Sequence, residues 1–76
     1  MVSIDLEKAI EDSSVMMARL EDGLKYRNKF MILGALRCYS VLYEKVLMKE
    51  GKDYEIVGNI TKYFDKKRAE LKTMEF

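Results

Sequence analysis

Enzymatic chemistry needs groups that move protons, attack electrophiles or hold ions, and this sequence spaces few of them usefully. Histidine is absent and cysteine occurs once, as Cys38. Without an imidazole, the commonest general base near neutral pH is missing. Cys38 lies inside an apolar stretch with no histidine to take its proton, so it reads as a structural thiol rather than a nucleophile. Ser13 and Ser14 have no base at hand, and a serine at position 13 suits close packing on an apolar helix face. The acid pairs Glu11/Asp12 and Glu21/Asp22 are neighbours in sequence, which on a helix point in different directions. Glycines stand alone at 23, 34, 51 and 58, so no phosphate-cradling loop exists. A zinc site would need an all-carboxylate shell, and no calcium-loop spacing occurs. The expectation is a chain that is not an enzyme and carries no metal or cofactor.

Binding chemistry has more material. Lys25-Tyr26-Arg27-Asn28-Lys29-Phe30 alternates cations with aromatics, and Lys62, Lys66, Lys67, Arg68 and Lys72 form a second basic cluster. Phosphates need such cations and exposed bases stack on such rings, so Lys25, Arg27, Lys29, Lys66, Lys67 and Arg68 are candidate nucleic-acid or anion contacts. Asp65 and Glu70 interleave the second cluster, however, and the formal net charge is only +1. A dedicated nucleic-acid domain is usually clearly basic. A solvated face paired with the acidic first helix is the plainer reading. Arg37 stands within the most apolar stretch, where a cation must be paired or must reach a ligand. Pairing with Glu44 of another subunit, or with an acid of the first helix, is the structural option. A small anion at a subunit interface, held by Arg37 with Arg27 and Tyr39 or Tyr43, is the functional one. Met16, Met17, Met31, Met48 and Met74 add the adaptable apolar surface that suits either a core or a partner.

The elements that position these groups are helical. Seventy-six residues make one small domain, which buries only ~60% of its unfolded surface and needs supplementing. A lone cysteine cannot close an internal disulfide, so self-association is the supplement left. No basic, apolar leader opens the sequence, and with a free thiol this points to the cytoplasm. Proline is absent and the apolar spacing is helical almost throughout. Residues 1–22 hold six acids against Lys8 and Arg19, a net of −4. Residues 23–49 hold six bases against Glu44, a net of +5, and such polarity favours antiparallel pairing.

A first helix starts at a Ser3 cap and carries Leu6, Ile10, Ser13, Met17, Leu20 and Leu24 on one face, widened by Ala9 and Met16. Gly23 is the expected stop, although the stripe continues in phase beyond it, and passage through it would cost only ~1 kcal/mol relative to alanine. From Phe30 to Met48 the sequence is apolar around most of a helical circumference, with Arg37, Ser40 and Glu44 on one polar line. Such a helix is buried on most sides; the charges and short window argue against a membrane span. Two short helices cannot cover it, so Met31, Gly34, Ala35, Cys38 and Leu42 become the expected interface, with the small residues allowing close helix approach. Gly51 with Asp53 as N-cap marks the second turn, and Val57, Ile60, Phe64, Leu71 and Met74 stripe a third helix.

The fold expected is all-α, a small three-helix bundle with helices near 4–22, 24–50 and 54–73, completed by homo-oligomerisation into a dimer. A long helical hairpin, fused through Gly23, is the alternative. The function expected is a small protein-interaction module: an adaptor, regulator or inhibitor that uses its helix faces against itself and a protein partner. Nucleic-acid binding and interfacial anion binding are the alternatives.

Overall fold

The computed structural model describes residues 4–74. Three helices and no strand form there, so the chain is an all-α, three-helix bundle. Helix α1 spans Ile4–Lys25, with Asp5 and Glu7 in its first turn and Lys25 in its last, as the helix dipole favours. The expected Ser3 cap lies outside the described residues. Helix α2 begins at Lys29 and runs to Leu42, then continues through a π-helical turn, Tyr43–Leu47, into Met48–Glu50. Its backbone stays helical at both joins, and the Met48 N–H donates to the Tyr43 carbonyl five residues back. Helix α3 spans Glu55–Leu71.

The first turn differs from expectation. Gly23 does not stop the helix, which runs through it to Lys25; the chain reverses at Tyr26-Arg27-Asn28 instead. Arg27 takes the left-handed conformation at φ 51°, and the Asn28 and Arg27 N–H groups donate to the carbonyls of Gly23 (2.8 Å) and Leu24 (3.3 Å). This is a Schellman cap with arginine where glycine is usual. Asn28 then caps α2, accepting from the Met31 N–H at 3.2 Å. Gly23 is needed for proximity: a Cβ there would lie 2.9 Å from Ile32 Cγ1 and 3.1 Å from the Ile32 nitrogen. The fused long hairpin is therefore not the structure.

At the second turn Asp53 is not the cap. The Tyr54 N–H is spent on the Gly51 carbonyl at 3.0 Å, and Tyr54, extended at φ −91°, takes the N-cap position without a side-chain bond. Gly51 is buried, because a Cβ would stand 2.8 Å from Val57 Cγ2 and 2.9 Å from Leu6 Cδ1.

The core gathers Leu6, Ala9 and Leu20 of α1, Ile32, Ala35, Tyr39 and Leu47 of α2, and Val57, Ile60 and Phe64 of α3. Ser13 is fully buried among them and donates to the Ala9 carbonyl at 2.7 Å. Tyr39 and Phe64 stack with centroids 3.8 Å apart and planes 8° from parallel, while Tyr63 meets Phe64 edge-on at 5.3 Å. Large rings bury much apolar area, so this stack joins α3 to the α1–α2 pair.

Polar contacts fasten both edges of α3. Toward α2, Thr61 Oγ1 donates to the Val57 carbonyl and receives the Tyr39 hydroxyl proton at 2.9 Å. Toward α1, Tyr63 donates to Glu21 at 2.5 Å and Lys67 pairs with Glu21 at 3.2 Å. Helix α3 thereby covers one side of the α1–α2 pair and leaves the other side open.

Candidate functional site

The open side decides where this protein can bind. The apolar girth of α2 leads one to expect burial on most sides, part of it beyond the reach of two short helices, and a single chain buries only Ile32, Ala35 and Tyr39 of residues 29–42. The helix is flanked by α1 and by α3, so its remaining girth stays in water. Phe30 is 87% exposed, an unusual state for a large aromatic, and Met31, Leu33 and Val41 are exposed too.

Phe30 and Met31 line a groove of 440 Å³ together with Gly34, Ala35 and Cys38 of α2 and Met16 and Arg19 of α1. Helical spacing explains it: Met31, Gly34 or Ala35, and Cys38 recur at steps of three and four, so they form one line along α2. The small residues along that line make the depression. A Cβ added at Gly34 would meet nothing within 4 Å.

Of the five residues expected at an interface, the structure brings Met31, Gly34, Ala35 and Cys38 together along this groove. Leu42 is half-buried against the core instead. Cys38 is exposed rather than buried. Arg19 also lines the groove, although the sequence pattern marks it only as one of two cations in the acidic first segment. Its spacing of three from Met16, itself assigned to the apolar stripe, was the available signal.

A second concavity of 280 Å³ lies between α2 and α3, lined by Tyr39, Ser40, Tyr43, Glu44, Thr61, Asp65 and Arg68. Its polar groups already serve one another. Arg68 Nη2 donates to Ser40 Oγ at 2.5 Å, and Nη1 stands 3.7 Å from Asp65. Burial raises the pKa of Tyr39 above its usual 10, an effect its bond to Thr61 partly opposes.

The candidate cations are scattered. Lys25 sits over the Tyr26 ring at 5.3 Å, Arg27 holds the α1–α2 turn, and Lys29 opens α2, exposed. Lys66 is exposed on α3, while Lys67 and Arg68 turn to opposite edges of that helix, toward Glu21 and Ser40 respectively. The Tyr63 hydroxyl bond and Lys67 hold the Glu21 carboxyl below its usual range, and Glu21 in turn raises Lys67. Burial, then Glu21, pushes the Tyr63 hydroxyl up. Arg37, expected to be paired, is exposed in the single chain, and among the described residues it has no ion-pair partner. It stands outside the hydrophobic interior, so it carries no desolvation penalty.

Among the described residues, no three His, Cys, Asp or Glu side chains gather to hold a metal. No described helix is long and apolar enough to cross a membrane. Comparison with protein-family models, with curated proteins and with solved structures finds no match to this chain.

Proposed function

We propose that this chain is a small non-catalytic protein-interaction module, an adaptor, regulator or inhibitor, whose binding surface is the α1–α2 groove. One observation carries the proposal. An apolar row of Phe30 and Met31, both exposed, lines a groove whose remaining α2 wall is Gly34, Ala35 and Cys38. Burying that row in a complex would return ~25 cal/mol for each Å² of apolar surface removed from water. A groove flanked by two antiparallel helices suits a third helix laid into it.

The test is affinity capture with three baits: the native chain, Gly34→Leu to fill the groove floor, and Lys66→Glu on exposed α3. Partners held by the native chain and by Lys66→Glu but lost with Gly34→Leu support the proposal. A capture profile indifferent to Gly34→Leu overturns it.

Self-association through the same face is a second reading, favoured by the uncovered small-residue line Gly34 to Cys38, along which a second α2 can approach closely. It predicts a discrete dimer mass by size exclusion with light scattering, reverting to monomer in Gly34→Leu. An exposed thiol on this surface fits a reducing compartment such as the cytoplasm.

A further inference from the structure

Charge is sorted along the long axis of the bundle, which measures 42 Å against 17 and 16 Å across. Helix α3 starts beside Leu6, crosses the middle where Phe64 stacks on Tyr39, and reaches Glu21 through Lys67. Its last turn therefore lies at the same end as the α1–α2 turn. The half of the bundle containing that turn, residues 17–39 and 63–74, holds nine bases against four acids, a net of +5. The opposite half, residues 4–16 and 40–62, holds five bases against eight acids, a net of −3. Blocks of charge in the sequence thus become a positive and a negative end of one molecule.

The positive end also carries exposed rings. Tyr26, in the turn, is 68% exposed, and Phe30 follows it on the first turn of α2. Around them stand Lys25 at the end of α1, Arg27 in the turn, Lys29 at the start of α2 and Lys72 at the end of α3. Among the described residues, Lys25, Lys29 and Lys72 have no ion-pair partner. Of the four acids in this half, Glu21 and Glu70 are engaged by Lys67 and Asp65 faces Arg68. Asp22, one turn before Tyr26, is the acid that offsets the cations here.

We propose that this end of the bundle docks on an anionic lipid surface, with Tyr26 and Phe30 at headgroup level and the four cations against acidic headgroups. Aromatic rings settle at that level, and each nearby Lys or Arg adds electrostatic attraction. Geometry selects a lipid surface over a nucleic-acid strand. Lys29 and Phe30 leave α2 ~100° apart, and Lys72 stands on a different helix. A strand follows one path, and neither groove described above is lined by Lys25, Tyr26, Arg27, Lys29 or Lys72. A plane across the end of the bundle meets them together. This inference goes beyond the groove reading and shares only Phe30 with it.

The test is co-sedimentation of the full chain with phosphatidylcholine vesicles, with and without phosphatidylserine, at rising salt. Binding is expected only with phosphatidylserine, and it weakens as the Debye length falls from ~10 Å at 0.1 M to ~3 Å at 1 M. Each cation at such a surface contributes about five-fold, so Lys25→Gln/Lys29→Gln/Lys72→Gln should bind ~100-fold more weakly and Asp22→Asn ~5-fold more tightly. All four positions are exposed, so the fold should survive, as circular dichroism would verify. The chain has no tryptophan, which makes Phe30→Trp a single reporter whose emission should shift to the blue on the vesicles. No binding, equal binding to neutral vesicles, or binding indifferent to the triple variant overturns the proposal. An unshifted emission on bound vesicles overturns the end-on docking. A single-stranded oligonucleotide bound as tightly as the vesicles, or in their place, overturns the lipid assignment in favour of nucleic acid.

Discussion

Alanine scanning of the four glycines gives a test in which the structure predicts opposite signs for the same chemical change. Glycine inside a helix costs ~1 kcal/mol relative to alanine, so a helical glycine with room around it is a latent gain. A methyl added at Gly34 would meet nothing within 4 Å, and the same holds at Gly58. Gly34→Ala should therefore raise stability by nearly the full ~1 kcal/mol, and Gly58→Ala by ~0.5–1 kcal/mol because it lies near the start of α3.

Gly23 is helical as well, yet its added methyl would press the Ile32 side chain at 2.9 Å and the Ile32 nitrogen at 3.1 Å. A side-chain end can rotate away, but the backbone nitrogen is fixed by its hydrogen bond to the Asn28 carbonyl. Overpacking costs ~1–3 kcal/mol, which exceeds the helical gain and leaves Gly23→Ala destabilised by about 1 kcal/mol. Gly51→Ala should lose more, ~2–3 kcal/mol, because Val57, Leu6 and the Leu47 carbonyl crowd the site and little helical gain offsets them.

The assay is urea unfolding followed by far-UV circular dichroism, with thermal melts as a second measure. A change of 1 kcal/mol corresponds to ~4–8 °C in Tm for a domain of this size. If Gly23→Ala proved as stabilising as Gly34→Ala, the close approach of α1 to Ile32 would be wrong, and with it the account of the first turn.

The remaining predictions probe other contacts. Phe64→Ala should cost ~3–5 kcal/mol, since it removes the partner of both Tyr39 and Tyr63, whereas Tyr39→Phe keeps the stack and should lose only ~1 kcal/mol with the bond to Thr61; comparable losses in the same unfolding assay would contradict the stacked core. Asn28→Ala should lose ~1 kcal/mol with the α2 cap. Glu21 has a folded pKa below its unfolded 4.5, so its contribution is present above pH 4.5 and is lost as pH falls through the folded value. In Tyr63→Phe, which removes the largest cause of that depression, the acid limb of a pH–stability curve should flatten. The Cys38 thiol should react stoichiometrically with Ellman's reagent in the native chain and become protected when the groove is filled; slow reaction of the free chain would place it in an interface already formed.

Period alone determined much of this protein. Steps of three and four placed Leu6, Ser13, Leu20, Val57, Ile60 and Phe64 on faces that turn inward, because an α-helix returns to the same side on that spacing whatever its neighbours are, whereas the inward line Ile32, Ala35 and Tyr39 of α2 was not distinguished within its apolar girth. The absence of histidine and the isolation of the glycines likewise limited the chemistry before any fold was known.

Turns were less legible. Gly23 and Asp53 have the composition of a stop and a cap, but Gly23 serves the contact with Ile32, and Arg27 takes the left-handed position through two hydrogen bonds that only the folded turn supplies. The distribution of charge also required the tertiary structure. Lys67 and Arg68 are neighbours in a basic run, yet one residue along a helix is a rotation of ~100°, and they reach Glu21 and Ser40 on opposite edges of α3. The open groove is tertiary in origin as well. Sequence showed an excess of apolar surface on α2, but which side α3 would cover depended on the stacking of Phe64 against Tyr39, and that choice left Phe30, Gly34 and Cys38 facing water.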